Sequence, residues 1–127
     1  MKKSVNKDTF YAEISELFNL PIDKIINEYS MTELSSQFYS FGLNHTHKSA
    51  HWLKAKVVIP GKNTEAQDGE KGILAIYDLA NLGSSVAIMT GDIAIKKGNE
   101  FELVGRDETL TPRGCSLAAE ELISRHI

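Results

Sequence analysis

Three residues near the start of the chain, Tyr29, Thr32 and Glu33, have the chemistry of a nucleotide site. Tyr29 offers a flat face on which a purine can stack, and Thr32 offers a hydroxyl to a phosphate oxygen. Glu33 offers a hard carboxylate ligand for Mg²⁺ bridging those phosphates. A Tyr-x-x-Thr-Glu string also fits a tyrosine packed in the core, with the threonine and glutamate opening a turn. Three later segments favour the nucleotide: Thr90-Gly91-Asp92, Gly105-Arg106 and Pro112-Arg113-Gly114-Cys115-Ser116-Leu117. A glycine inside a strand marks a bulge or a point where something approaches the backbone, which makes Gly91 informative. A carboxylate held there, Asp92, can accept hydrogen bonds from two ribose hydroxyls. Arg106 follows a glycine at a strand end, where its guanidinium can reach a ribose or phosphate oxygen in bidentate fashion. The plainer alternatives are a turn at Gly91 and a surface arginine at Arg106.

Cys115 is the single cysteine. It sits between Gly114 and a helix expected from Ser116, where the positive end of the helix dipole and Arg113 would favour thiolate. It fits equally well as a small buried hydrophobe. His45, His47 and His51 lie close together, but structural zinc wants four ligands of the Cys/His kind. They read as polar side chains on a mobile loop that packs Trp52, the alternative being a loop that borders an acyl or nucleotide pocket.

The elements that must position these residues are legible in the pattern. Thr9 to Asn19 carries Phe10, Ile14, Leu17 and Phe18 at helical spacing, with Asp8 as N-cap. Leu20-Pro21 stops that helix, and Asp23 to Ile26 is a short turn or strand that delivers Tyr29. Ser35 to Leu43 is expected to be irregular, with Phe38, Tyr39 and Phe41 packing rather than stacking on a base. Strands are expected at Trp52–Ile59, Gly72–Leu79, Ser84–Lys96 and Phe101–Val104. They are punctuated by Pro60-Gly61, the polar stretch from Lys62 to Lys71, Gly83 and Lys97-Gly98-Asn99. Ser116 to His126 reads as a C-terminal helix. The expected fold is α+β, a small antiparallel sheet or partly open β-barrel flanked by an N-terminal and a C-terminal helix, as one domain over residues 1–127.

Composition narrows the function classes. The 127 residues are 42% hydrophobic, enough for a modest core. A net charge of −3, with a pI near 5.8, argues against a nucleic-acid partner, because no basic stripe is present to neutralise a phosphate backbone. No run of 18 apolar residues exists, and the two N-terminal lysines are not followed by an apolar segment. The expectation is a cytoplasmic protein without a membrane span, its lone cysteine consistent with a reducing compartment.

Taken in order, Tyr29-Ser30-Met31-Thr32-Glu33, Thr90-Gly91-Asp92, Gly105-Arg106-Asp107 and Arg113-Gly114 resemble the back half of the adenylate-forming enzymes that activate carboxylic acids with ATP. Glu28 to Tyr39, Tyr77-Asp78-Leu79-Ala80-Asn81 and Arg113-Gly114-Cys115-Ser116-Leu117 are similar to the acyl-protein synthetase branch, which supplies the fatty-acid-activating component of bacterial luminescence. The resemblance runs from about Asp8 to the end, against only the C-terminal part of such an enzyme. It implies ATP and Mg²⁺ as cofactors. Tyr29, Thr32, Glu33, Asp92 and Arg106 would form the nucleotide site, with Glu33 the metal ligand and Asp92 on the ribose. It also implies a long-chain fatty acid as substrate and a C-terminal cysteine, here Cys115, as acyl acceptor. An acyl-reductase or acyl-transferase protein would be the partner that follows.

Two departures accompany that resemblance. Nothing before Tyr29 could serve as the Gly/Ser/Thr-rich phosphate loop with its lysine, and nothing after Arg106 matches the mobile C-terminal domain with its catalytic lysine. The chain therefore reads as a fragment or truncated product, inactive alone. The alternative reading is a stand-alone nucleotide-binding or scaffold module without catalysis. Regulatory nucleotide sensing is a third; it would keep Tyr29 and Asp92 and have no use for Cys115.

Overall fold

A computed structural model describes residues 5–107. The first element, α1, spans Lys7–Phe18. Asn6, not Asp8, is its N-cap: the Asn6 side chain accepts the Asp8 N–H at 2.8 Å, and Asp8 sits in the first turn where its charge suits the dipole. Asn19 ends the helix in the left-handed region (φ 49°), which asparagine tolerates, and Leu20 N–H closes back onto Ser15 O. The helix is seated by Tyr11, which is buried. Phe10, Leu17 and Phe18, expected on the covered face, are exposed among the described residues.

After a 3-10 turn at Ile22–Lys24, strand β1 (Ile26–Tyr29) pairs antiparallel with β2 (Phe38–Phe41). The stretch expected to be irregular is thus a strand. Its burial alternates, Phe38 and Ser40 inward and Tyr39 and Phe41 outward. The inward serine and outward aromatics invert the usual polarity, so the period of two was masked.

The main sheet has six strands: β3 (Thr46–His47), β4 (Leu53–Ile59), β5 (Thr64–Glu65), β6 (Lys71–Asp78), β7 (Ala87–Lys97) and β8 (Glu100–Arg106). Their order is β3-β8-β7-β6-β4-β5, every neighbouring pair antiparallel. Among the described residues the edge strands β3 and β5 do not pair with each other, so the sheet does not close on itself. The four strands expected from alternation form its centre, with shifted ends, and the two short edge strands are additions. Gly98 (φ 63°) and Asn99 make the two-residue turn joining β7 to β8, with Lys97 opposite Glu100. Gly72 lets β4 and β6 approach: a Cβ there would lie 2.4 Å from Val58 O.

One face of the main sheet supplies Leu53, Val57, Leu74, Ile76, Ala94 and Phe101 to the core, and the small sheet covers them with Tyr29 and Phe38. Phe38 and Phe101 meet edge to face at 5.1 Å. This contact ties β1 and β2 to β8, and so fixes Tyr29 relative to β7. The helix expected over Ser116–His126 lies outside the described residues.

Candidate functional site

The Thr-Gly-Asp segment forms a bulge in β7. On β6 a single residue, Leu74, separates Ile73 from Ala75; their partners on β7, Ile93 and Met89, are separated by Thr90, Gly91 and Asp92. The surplus backbone bends out of the ladder. Thr90, itself buried, anchors the bend: its hydroxyl donates to Leu74 O at 2.8 Å and accepts the Asp92 N–H at 3.0 Å. A second register shift in β8, between the partners of Ile93 and Ala94, sets Arg106 opposite Asp92. Asp107 N–H donates to Gly91 O at 2.9 Å and closes the corner.

Tyr29 reaches this corner from β1. Its hydroxyl donates to Asp92 Oδ2 at 2.5 Å, across 63 residues of sequence. The Arg106 Nε lies 4.0 Å from the other oxygen, Asp92 Oδ1. The Asp92 side chain is 19% exposed and that of Arg106 40%, so the carboxylate is reachable from solvent past the guanidinium. The Tyr29 ring itself is buried, with Phe38, His47 and Phe101 centroids at 6.0, 6.1 and 5.7 Å. The face offered to a purine in the sequence reading is thus enclosed by protein rings, and the hydroxyl is what meets the site. Burial pushes the Tyr29 phenol far above its ordinary pKa, and the hydrogen bond to Asp92 and its negative charge push it further, so the hydroxyl stays a donor.

Thr32 and Glu33 lie in the exposed turn after β1. The Thr32 hydroxyl donates to Glu33 Oε2 at 3.1 Å. Among the described residues no hydrogen bond or ion pair joins either one to Tyr29, Asp92 or Arg106. The far side of this turn is held firmly by residues that composition and spacing did not single out as a site. Asp78 Oδ2 accepts the backbone N–H groups of Ser35 and Ser36, each at 2.9 Å, while Oδ1 accepts the Ser36 hydroxyl at 2.9 Å and the Ala80 N–H at 3.0 Å. Asn81 Nδ2 donates to Glu33 O at 2.9 Å and to Ser85 O at 2.8 Å. The available signal was an aspartate and an asparagine flanking a strand end, Asp78-Leu79-Ala80-Asn81, with a serine pair upstream.

The histidines separate. His47 stacks on Phe101 at 5.2 Å and its Nε2 meets Asn27 Oδ1 at 3.1 Å; His45 faces Asp8 at 3.5 Å; His51 packs edge-on against Trp52 at 5.0 Å. His47 belongs to a strand and is buried, which corrects the mobile-loop expectation for it. Among the described residues no group of three His, Cys, Asp or Glu side chains could hold a metal ion. Cys115 lies outside the described residues.

The chain is 23% identical, over an alignment of 127 positions, to the long-chain-fatty-acid–luciferin-component ligase of Vibrio harveyi, covering 94% of this chain and 33% of that protein. Three solved structures share its fold. McyG A-PCP complexed with phenylalanyl-adenylate matches with a TM-score of 0.62 at 22% identity, over 84% of this chain and 24% of that one. ATP-bound MatB from Rhodopseudomonas palustris matches with a TM-score of 0.62 at 15% identity, over 82% of this chain and 24% of that one. The luciferase-like enzyme of the nonluminescent mealworm Zophobas morio matches at 0.59 and 19% identity, over 84% and 30%. The fold is that of a segment of each of these three proteins. The resemblance to the acyl-protein synthetase branch holds across nearly the whole chain, which spans about a third of the length of that curated relative. No family model matches the chain. Among the described residues no helix is long and apolar enough to cross a membrane.

Proposed function

We propose that this chain forms the ribose-binding portion of an ATP-dependent ligase that activates a long-chain fatty acid as acyl-AMP and passes the acyl group to Cys115. The observation that carries the reading is the corner at Asp92. A bulge, a paired arginine and a tyrosine hydroxyl converge on one accessible carboxylate, on a fold shared with proteins solved with ATP or an adenylate.

Each residue has a role in that reading. Asp92 accepts hydrogen bonds from the ribose hydroxyls and Arg106 donates to a ribose or phosphate oxygen. Thr32 donates to a phosphate oxygen. Glu33 is the carboxylate for Mg²⁺, and its exposed position in a turn suits an ion that is held by one carboxylate, waters and the phosphates themselves rather than by a protein cage. Bound there, the ion would neutralise charge on the phosphates.

The reaction has two halves. A carboxylate oxygen of the fatty acid attacks the α-phosphorus of ATP, the bond to the bridging oxygen of the β-phosphate breaks, and pyrophosphate leaves with its electron pair. The Cys115 thiolate then adds to the acyl carbonyl and AMP departs, leaving a thioester for a reductase or transferase partner.

The test is made on the polypeptide that carries this chain, with ATP, Mg²⁺ and radiolabelled long-chain fatty acid. The expected result is label that survives denaturation, is released by neutral hydroxylamine and disappears in Cys115→Ser while ATP–pyrophosphate exchange persists. Absence of both exchange and label with every acid tried overturns the proposal.

A further inference from the structure

The geometry points to the Tyr29 hydroxyl as a positioning residue: it presents the Asp92 carboxylate to the 2′,3′-diol of a ribonucleotide and makes the site selective for an intact ribose. This deepens the reading of Asp92 as the ribose acceptor and rests on it.

A carboxylate rotates about its Cβ–Cγ bond, and a flexible one binds a diol poorly because its orientation must be fixed at the moment of binding. Here the backbone under Asp92 is held by Thr90, whose hydroxyl bridges Leu74 O and the Asp92 N–H. Among the described residues the side chain is held by a hydrogen bond at one oxygen, the 2.5 Å bond from Tyr29. Arg106, 4.0 Å from the other oxygen, is too far for a well-formed hydrogen bond and guards that oxygen without occupying it. Each carboxylate oxygen has about two lone-pair sites, so among the described residues Oδ2 retains one and Oδ1 retains both.

The donor is itself rigid. Phe38, His47 and Phe101 enclose its ring from three elements, and its hydroxyl remains protonated. A phenylalanine at this position would preserve every ring contact and remove only the hydroxyl. The role of the hydroxyl is therefore separable from any role of the ring.

The experiment measures the affinity of the polypeptide that carries this chain for MgATP and for Mg-2′,3′-dideoxy-ATP by calorimetry, comparing wild type with Tyr29→Phe. The expected result is a loss of about tenfold for ATP in the variant, the scale of a hydrogen bond to a charged group, with no change for the dideoxy nucleotide and a thermal midpoint lowered by only a few degrees, the cost of one hydrogen bond. Equal ATP affinity in the two proteins, tighter ATP binding in the variant, or equal loss for both nucleotides overturns the inference. A second measurement does not depend on the folding of that variant: Asp92→Asn must shift the Tyr29 ring-carbon resonances of the unliganded protein, and their constancy overturns it as well. If wild type binds neither nucleotide, the ribose-site reading itself fails. If it binds ATP and Tyr29→Phe binds it equally well, only the positioning role fails.

Discussion

Two aspartates on the β6–β7 pair, Asp78 at its end and Asp92 in the bulge within it, have opposite environments. Asp78 is fully buried and accepts hydrogen bonds from Ser35, Ser36 twice and Ala80. Asp92 is partly open, accepts one side-chain hydrogen bond among the described residues, from Tyr29, and faces an arginine that stands off at 4.0 Å. A carboxylate whose lone pairs are all taken by its own chain is a brace. One with unused acceptor capacity beside solvent is available to a ligand. The same residue type therefore holds the fold together at one place and is left open to solvent at the other.

The comparison breaks most readily at Asp78. Asp78→Ala leaves two backbone N–H groups, a serine hydroxyl and the Ala80 N–H short of their acceptor, and the expected loss is about 4 kcal/mol, read as a lower urea midpoint. Asp92→Ala frees only the Tyr29 hydroxyl near the surface and should cost about 1 kcal/mol, while removing nucleotide binding. Similar stability losses for the two variants would abolish the distinction between brace and site.

These two environments were unequally legible. The glycine of Thr90-Gly91-Asp92 marks from sequence a bulge, a close approach to the backbone or a turn, and the register shift lies there. The Asp78 brace draws its donors from Ser35 and Ser36, more than 40 positions away, and no local pattern encodes such a pairing. Helix α1 was misread for a related reason. Its period of apolar residues is genuine, but which face is covered depends on what packs there, and among the described residues that contact is made by Tyr11. The small sheet was hidden by a buried serine in β2, and the enclosure of Tyr29 by rings from β2, β3 and β8 could be known only once those strands were placed.

Acid separates the brace from its surroundings. Burial works to raise the Asp78 carboxyl, and the hydrogen bonds from Ser36, Ala80 and Ser35 more than offset it, so its pKa in the fold lies below the ordinary value of 3.8. That stabilisation is present above the unfolded pKa and is lost as pH falls through the folded one. His47 acts in a higher window. Burial, then the charge of Lys7, lower its pKa below 6.5, so the unfolded chain binds more protons and stability declines as pH falls below 6.5. Urea titrations should show a modest decline beginning below pH 6.5 and a steeper one below pH 4. His47→Gln should remove the first and Asp78→Asn the second; a first decline that survives His47→Gln assigns it elsewhere.

The smallest effect on stability belongs to Arg106. At 4.0 Å and 40% exposed, its pairing with Asp92 is the kind of surface contact that contributes about 0.5 kcal/mol or less. Arg106→Ala should leave the urea midpoint nearly unchanged. A guanidinium that adds little to the fold but stands over an open carboxylate can interact more strongly with a bound anion than with its neighbour, because the nucleotide carries more charge. The variant should therefore weaken MgATP binding several-fold, with most of the loss disappearing in high salt, where the wild-type interaction is screened. A stability loss comparable to that of Asp78→Ala, with nucleotide affinity intact, would make Arg106 a second brace and leave Asp92 without a partner for binding.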